Sequence, residues 1–276
     1  MRLIRYRDEA GQTHHGIEAG DGRARRLAGS PLDSLEPAGP VDRVAQRLAP
    51  IQPTNIFCIG LNYRAHASET GAALPEHPVI FMKPTTAVAD PGQAIRLPAS
   101  QMKGPETDYE VELVAVIGQA GRDIPVERAL EHVLGYTVAN DVSARRWQKE
   151  GGGGQWIRGK GFDTFCPLGP AIVTGDEIPD PQALAVSTTL NGRTMQSSTT
   201  ADMIFSVAEL IAFLSRDTTL APGTLILTGT PEGVGFARQP PVFLSDGDEV
   251  TVAVEGIGEL TNPVVAAEKA SVGAGG

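Results

Sequence analysis

The sequence predicts an α+β fold rich in short strands rather than a doubly wound sheet. Three observations point there: brief apolar or β-branched runs, glycine and proline turns between nearly all of them, and only about three stretches of helical periodicity. With 32 glycines and 21 prolines in 276 residues, the chain has the turn residues that such frequent reversals need. Its length allows one large core or one core plus a small appendage, and no internal repeat is visible.

Residues 1–53 read as two or three short strands around Gly11, Gly20 and Gly22, then a Pro-, Asp- and Ala-rich stretch, a small N-terminal β appendage. The main domain is expected over 54–272. Residues 56–59 read as a buried strand, and 63–70 as a short helix closed by Gly71. Residues 79–82, 109–117 and 136–142 are strand-like, and 125–134 reads as a helix with proline at its first position. The strongest helix spans 207–216: Ser206 and Glu209 form a capping box, and Val207, Leu210, Ile211 and Leu214 share one face.

A formal charge of −10 without basic clusters disfavours phosphate backbones and anionic lipid, so nucleic acid is not an expected partner. No apolar run approaches a membrane span, and the start has neither a signal-peptide core nor the acid-free character of a transit peptide. A cytoplasmic enzyme is the expectation. Cys58 and Cys166, far apart and flanked by apolar residues or proline, give neither a disulfide framework nor a thiolate metal site.

The chemistry-bearing residues follow. In a strand over 109–117, Glu110 and Glu112 point the same way, with Val114 and Val116 following on that face. Two carboxylates in apolar company need a cation or strong donors, although an E-x-E pair alone reads more simply as a solvated strand edge. Asp141, ending an otherwise apolar strand, is a third acid; such hard oxygen ligands suit Mg²⁺, Mn²⁺ or Ca²⁺ rather than zinc. His66 and Glu69 stand three apart, a spacing that lets the carboxylate polarise the imidazole. Lys160, in an uncharged loop-like stretch after glycines 151–154, is placed to stabilise an enolate; those glycines read as a flexible tip that would permit closure beside a site. The glycine-rich turn from Thr228 offers free amides and the Thr230 hydroxyl to a substrate carboxylate, and Lys83 is either an anion contact or a strand-end cap.

Taken in order, these motifs resemble the fumarylacetoacetate hydrolase family. They are the run from Ile59 through His66 to Glu69, Phe81-Met-Lys83-Pro, Asp108-Tyr-Glu110-Val-Glu112, Asn140-Asp141-Val-Ser-Ala-Arg145, Gly159-Lys160-Gly-Phe-Asp and Thr228-Gly-Thr230-Pro-Glu-Gly-Val-Gly. The resemblance implies a mixed β-sandwich roll, usually a homodimer, with Mg²⁺ or Mn²⁺ held by Glu110, Glu112 and Asp141. It also implies a catalytic His66–Glu69 pair, Lys160 at the enolate, and Gln148, Thr230 and Lys83 at substrate oxygens. Three departures stand out: apolar Ile59 where fumarylacetoacetase supplies a further aspartate to its metal, Arg146 where relatives often carry Asp, and Gly161 where many carry Ser or Thr.

The implied reaction begins with an enolisable 2-oxo acid. The order of expectation is tautomerisation of oxaloacetate, then hydrolysis of an acylpyruvate, then oxaloacetate decarboxylation. A binding protein stabilised by a cation would satisfy the same acids, but leaves the His66–Glu69 pair and the approach to Lys160 without a purpose.

Overall fold

The computed structural model describes residues 1–266 apart from 102, 103, 105, 152 and 153. Two of the four glycines read as a flexible tip, 152 and 153, therefore lie outside the described residues, as does the end of the expected main domain. Among the described residues a large mixed sheet of twelve strands dominates. Its path runs from Pro37–Arg43, Arg23–Leu27, Thr13–Gly20 and Arg2–Arg7 through Cys166–Thr174, Val133–Asn140, Val111–Ile117 and Leu225–Leu227 to Ile56–Gly60 and Val79–Met82. Most pairings are antiparallel, but Leu225–Leu227 lies parallel to Ile56–Gly60. A second sheet of five strands includes Ala185–Leu190, Glu249–Val254 and Gly258–Val265.

Val111–Ile117 is buried along its whole length because both faces are covered. Val111, Leu113, Ala115 and Ile117 pack with Val186, Val252 and Leu260 of the second sheet and with the helix Val207–Leu214. That helix carries the expected capping box, and its stripe of Val207, Leu210, Ile211 and Leu214 is buried, each side chain contributing roughly 2 kcal/mol. Val114 and Val116 face the other way, into a core shared with Cys58, Ala139, Cys166 and Leu227. The N-terminal strands supply Leu3 and Leu27 to this second core, and Arg2–Arg7 pairs directly with Cys166–Thr174.

Several expectations shift in detail. Five N-terminal strands form rather than two or three. The strand expected from residue 109 begins at Val111, and the one expected over 136–142 is Val133–Asn140. The helix expected over 125–134 is a 3₁₀ segment, Val126–His132, which buries only Ala129; without an apolar stripe nothing holds a longer α-helix in place. The loop-like approach to Lys160 contains the short helices Arg145–Lys149 and Trp156–Lys160. They cross where Gly159 meets Gln148: a Cβ on Gly159 would lie 2.6 Å from the Gln148 amide nitrogen.

Candidate active site

The three acids meet because two neighbouring strands end together. The Glu110 amide donates to Asn140 Oδ1 at 3.0 Å, and the Asp141 amide returns a bond to the Glu110 carbonyl at 2.9 Å. One oxygen each from Glu110, Glu112 and Asp141 then lies within 4.8 Å of the others. Exposure of 4%, 1% and 0% rules out a solvated strand edge.

Buried cations crowd this cluster. Lys160 Nζ lies 2.7 Å from both Glu110 Oε2 and Asp141 Oδ2. Arg145 reaches Glu110 Oε1 at 2.6 Å through Nη1 and donates from Nε to Asp108 Oδ2 at 2.8 Å. Lys83, expected among the substrate contacts, is placed otherwise: its buried ammonium donates to the carbonyls of Val142, Lys160 and Phe165 and sits 2.7 Å from Asp141 Oδ1. An ammonium without solvent must spend its donors on whatever oxygens surround it, and here those belong to the protein.

The acids respond unequally. Burial alone would raise Glu110, but Lys160 and Arg145 overcome it and hold the carboxyl at about 2. Glu112 is pushed well above its ordinary value, by burial first and then by Asp141 and Glu110. Among the described residues no ion pair reaches it; the Gly229 amide donates to Oε2 at 2.7 Å. Three converging hard oxygens, one of them an acid without a cation of its own among the described residues, are a donor set that fits a hard divalent cation.

The glycine-rich turn after Leu225–Leu227 does more than its sequence suggested. Its amides, expected to grip a substrate carboxylate, grip the protein's own: Gly229 holds Glu112, Gly233 holds Glu69 at 3.0 Å, and Gly235 and Phe236 hold Asp108 at 2.8 and 3.0 Å. The buried carboxylates Glu112 and Asp108 need donors, and backbone amides supply them without adding charge. Gly229 has φ +98°, and a Cβ there would lie 2.7 Å from Asn62 Cβ, so the turn requires glycine.

His66 sits on the short helix Arg64–Glu69, its Nδ1 2.7 Å from Glu69 Oε1. A carboxylate only accepts, so Nδ1 carries the hydrogen and Nε2 is left as a base. His66, Glu110, Glu112, Gln148, Lys160 and Thr230 line one pocket of about 330 Å³, with Ile59, Phe81 and Trp156 among its apolar walls. Thr230 Oγ1 accepts from Gln196 Nε2 at 2.9 Å, and Gln148 Oε1 accepts from Arg145 at 3.2 Å. Both cysteines are free and buried in the core beneath, and burial drives the Cys166 thiol up to about 12.

Sequence reasoning left Asp108, Arg145, Gln196 and Lys149 without roles. Asp108 and Arg145 stood inside quoted motifs, but nothing local signals that residues 37 apart form a buried ion pair. Gln196, which fixes Thr230, stands in a Gln-Ser-Ser run that adds to the resemblance but gives it no role of its own.

Known proteins resemble this chain in sequence and fold. Two curated relatives are the mitochondrial oxaloacetate tautomerases fahd2 of Xenopus laevis and FAHD2A of Homo sapiens, 49% and 47% identical over 219 residues, covering 79% of this chain and 68% and 69% of theirs. Among solved structures, a 5-carboxymethyl-2-hydroxymuconate delta-isomerase of Mycobacterium smegmatis is 42% identical with a TM-score of 0.85, covering 97% of this chain and 100% of that one. A fumarylacetoacetate hydrolase of Exiguobacterium antarcticum is 38% identical over the same shares, with a TM-score of 0.85. The fumarylacetoacetate (FAA) hydrolase C-terminal profile matches residues 55–265. On that match, with the large mixed sheet and the acids it brings together, the chain belongs to the fumarylacetoacetate hydrolase family.

Proposed function

We propose that this enzyme catalyses keto-enol tautomerisation of a small enolisable 2-oxo acid, with oxaloacetate as the substrate and Mg²⁺ or Mn²⁺ as cofactor. The observation that carries the reading is one pocket lined by a carboxylate-bound histidine and by Glu110, Glu112 and Lys160. The names of the curated relatives support oxaloacetate.

Charge balance supports the metal. Within the cluster at the pocket, the carboxylates of Asp108, Glu110, Glu112 and Asp141 face the cations of Lys83, Arg145 and Lys160, and among these seven groups one negative charge is left over. A divalent cation would overshoot by one, and a substrate carboxylate would restore neutrality. Glu110, Glu112 and Asp141 would hold the ion, which when bound supplies the charge that polarises the C2 carbonyl and acidifies C3.

The chain's own part is proton transfer. In ketonisation the enol oxygen gives up its proton while the His66 imidazolium delivers one to C3; enolisation reverses both transfers. Glu69, fixed by the Gly233 amide, keeps the tautomer and steadies the imidazolium. Lys160 places fixed positive charge near the oxygen that becomes anionic, and Thr230 and Gln148 hydrogen-bond substrate oxygens. The same His66–Glu69 pair could instead activate water against a C4 carbonyl, a reading favoured by the E. antarcticum hydrolase among the structural neighbours.

Ultraviolet absorbance of enol-oxaloacetate, with Mg²⁺ or with chelator, separates these readings when pyruvate is assayed in parallel and acetylpyruvate is tested alongside. Fast metal-dependent loss of the enol without pyruvate is expected. Cleavage of acetylpyruvate without acceleration of enol loss would replace tautomerisation by hydrolysis.

A further inference from the structure

One charged side chain in the pocket has no counter-ion among the described residues. Lys149 ends the short helix Arg145–Lys149, lines the pocket and remains exposed to solvent, at its mouth. Its Nζ stands 3.6 Å from the centroid of the Phe236 ring, and the Arg145 guanidinium stands over the same ring at 4.5 Å. Phe236 is itself held by its backbone N–H, which donates a hydrogen bond to Asp108 Oδ2. Two cations thus share one aromatic surface, while both nearby acids, Asp108 and Glu110, are bound by Arg145. Among the described residues no carboxylate pairs with Lys149. Arg145, bound to both acids, has no charge left over for Lys149's share of the pocket.

We propose that Lys149 is a specificity-determining residue that binds a second carboxylate on the substrate, so that the pocket prefers 2-oxo dicarboxylates to 2-oxo monocarboxylates. The assignment rests on the 2-oxo acid reading above. The buried cluster with a divalent cation is neutralised by one substrate carboxylate, which leaves no charge there for a second. Of the other charged groups lining the pocket, Lys160 and Arg145 are committed to Glu110, Asp141 and Asp108, and His66 is committed to Glu69. Burial and the neighbouring Arg145 charge press the Lys149 ammonium below its ordinary value, a cost that an incoming carboxylate relieves.

The test compares Lys149→Gln and Lys149→Arg with the parent enzyme on the enols of oxaloacetate, a dicarboxylate, and phenylpyruvate, a monocarboxylate. In Lys149→Gln the ratio of KM for oxaloacetate to KM for phenylpyruvate should rise about tenfold, the worth of one charge-assisted hydrogen bond, and Lys149→Arg should restore most of it. The change should be in KM, with kcat for oxaloacetate moving far less. An unchanged ratio, or a loss confined to kcat, would overturn the assignment. If the parent enzyme turns over neither enol, the tautomerase reading falls. Calorimetric titration with Mg²⁺ then decides separately on Lys149, comparing 2-oxoglutarate with 2-oxopentanoate. Tighter binding of the dicarboxylate, lost in Lys149→Gln, supports it; equal affinity, or binding of neither, overturns it.

Discussion

The N-terminal strands and the pocket both carry interlocked charges, yet they are balanced in opposite ways. Among the N-terminal strands Arg26 forks onto Asp42 at 2.8 and 3.0 Å, the Tyr6 hydroxyl adds a donor at 2.6 Å, and Asp8 takes His14 at 2.9 Å with the amides of Ala10 and Gln12. Each acid has its own donors and lies below its ordinary value, Asp42 chiefly through Arg26 and Asp8 chiefly through His14. In the pocket Glu110 is matched in this way and Glu112 is not. A matched network at a partly solvated surface holds strands together. An unmatched acid held among other acids costs the metal-free chain stability, and that same imbalance creates affinity for a cation.

Breaking the pocket side should have the largest effect. Glu112→Gln should leave the protein folded and lower metal-dependent turnover by roughly three orders of magnitude, the several kcal/mol a metal supplies to the transition state. Turnover within tenfold of the parent would remove the metal-site assignment. Next in size, His66→Ala should lower kcat by about 10²–10⁴-fold while oxalate still binds with Mg²⁺, and loss of oxalate binding would make His66 a binding residue instead.

Thermal melting sharpens the comparison. With Mg²⁺ at a hundredfold excess over its dissociation constant, the parent should melt about 5 °C higher than with chelator, and Glu112→Gln should lose that shift. With chelator present, Glu112→Gln should melt above the parent, since it removes the surplus charge; a lower melting temperature would contradict the account of the cluster.

The smallest effect belongs to the matched network. Asp42→Asn should lower the melting temperature at pH 7 by about 2–4 °C. Because Asp42 is depressed in the folded state, its stabilisation is present above the unfolded carboxylate value of about 4 and is lost as pH falls through the lower folded value. Glu112 has the opposite sign in chelated protein: its folded value is raised, so its penalty is absent at low pH and develops as pH rises above the unfolded value. Melting of both variants and the parent between pH 3 and 7 should therefore show differences of opposite slope.

Much of the site was legible before the fold. The E-x-E spacing put Glu110 and Glu112 on one side, Asp141 stood out in an apolar strand, and a three-residue spacing joined His66 to Glu69, all local patterns that survive into the structure. Lys83 and the glycine-rich turn were read toward substrate because a cation and free amides suit anions. Folding gave them anions of the protein's own: Asp141 for Lys83, and Glu112, Glu69 and Asp108 for the amides. The 3₁₀ segment Val126–His132 was misjudged for a related reason, since helix length depends on what a face packs against.

By itself the sequence determined which groups could do chemistry, where most strands and the capped helix lie, and that turns outnumber helices, because periodicity and capping act over a few residues. The tertiary structure alone decided which charges are matched. The Asp108–Arg145 pair, the carbonyl cage around Lys83, the uncompensated Glu112 and a Lys149 without a carboxylate partner among the described residues arise from strands and turns distant in the chain, and the energy of a buried charge is set by the groups around it.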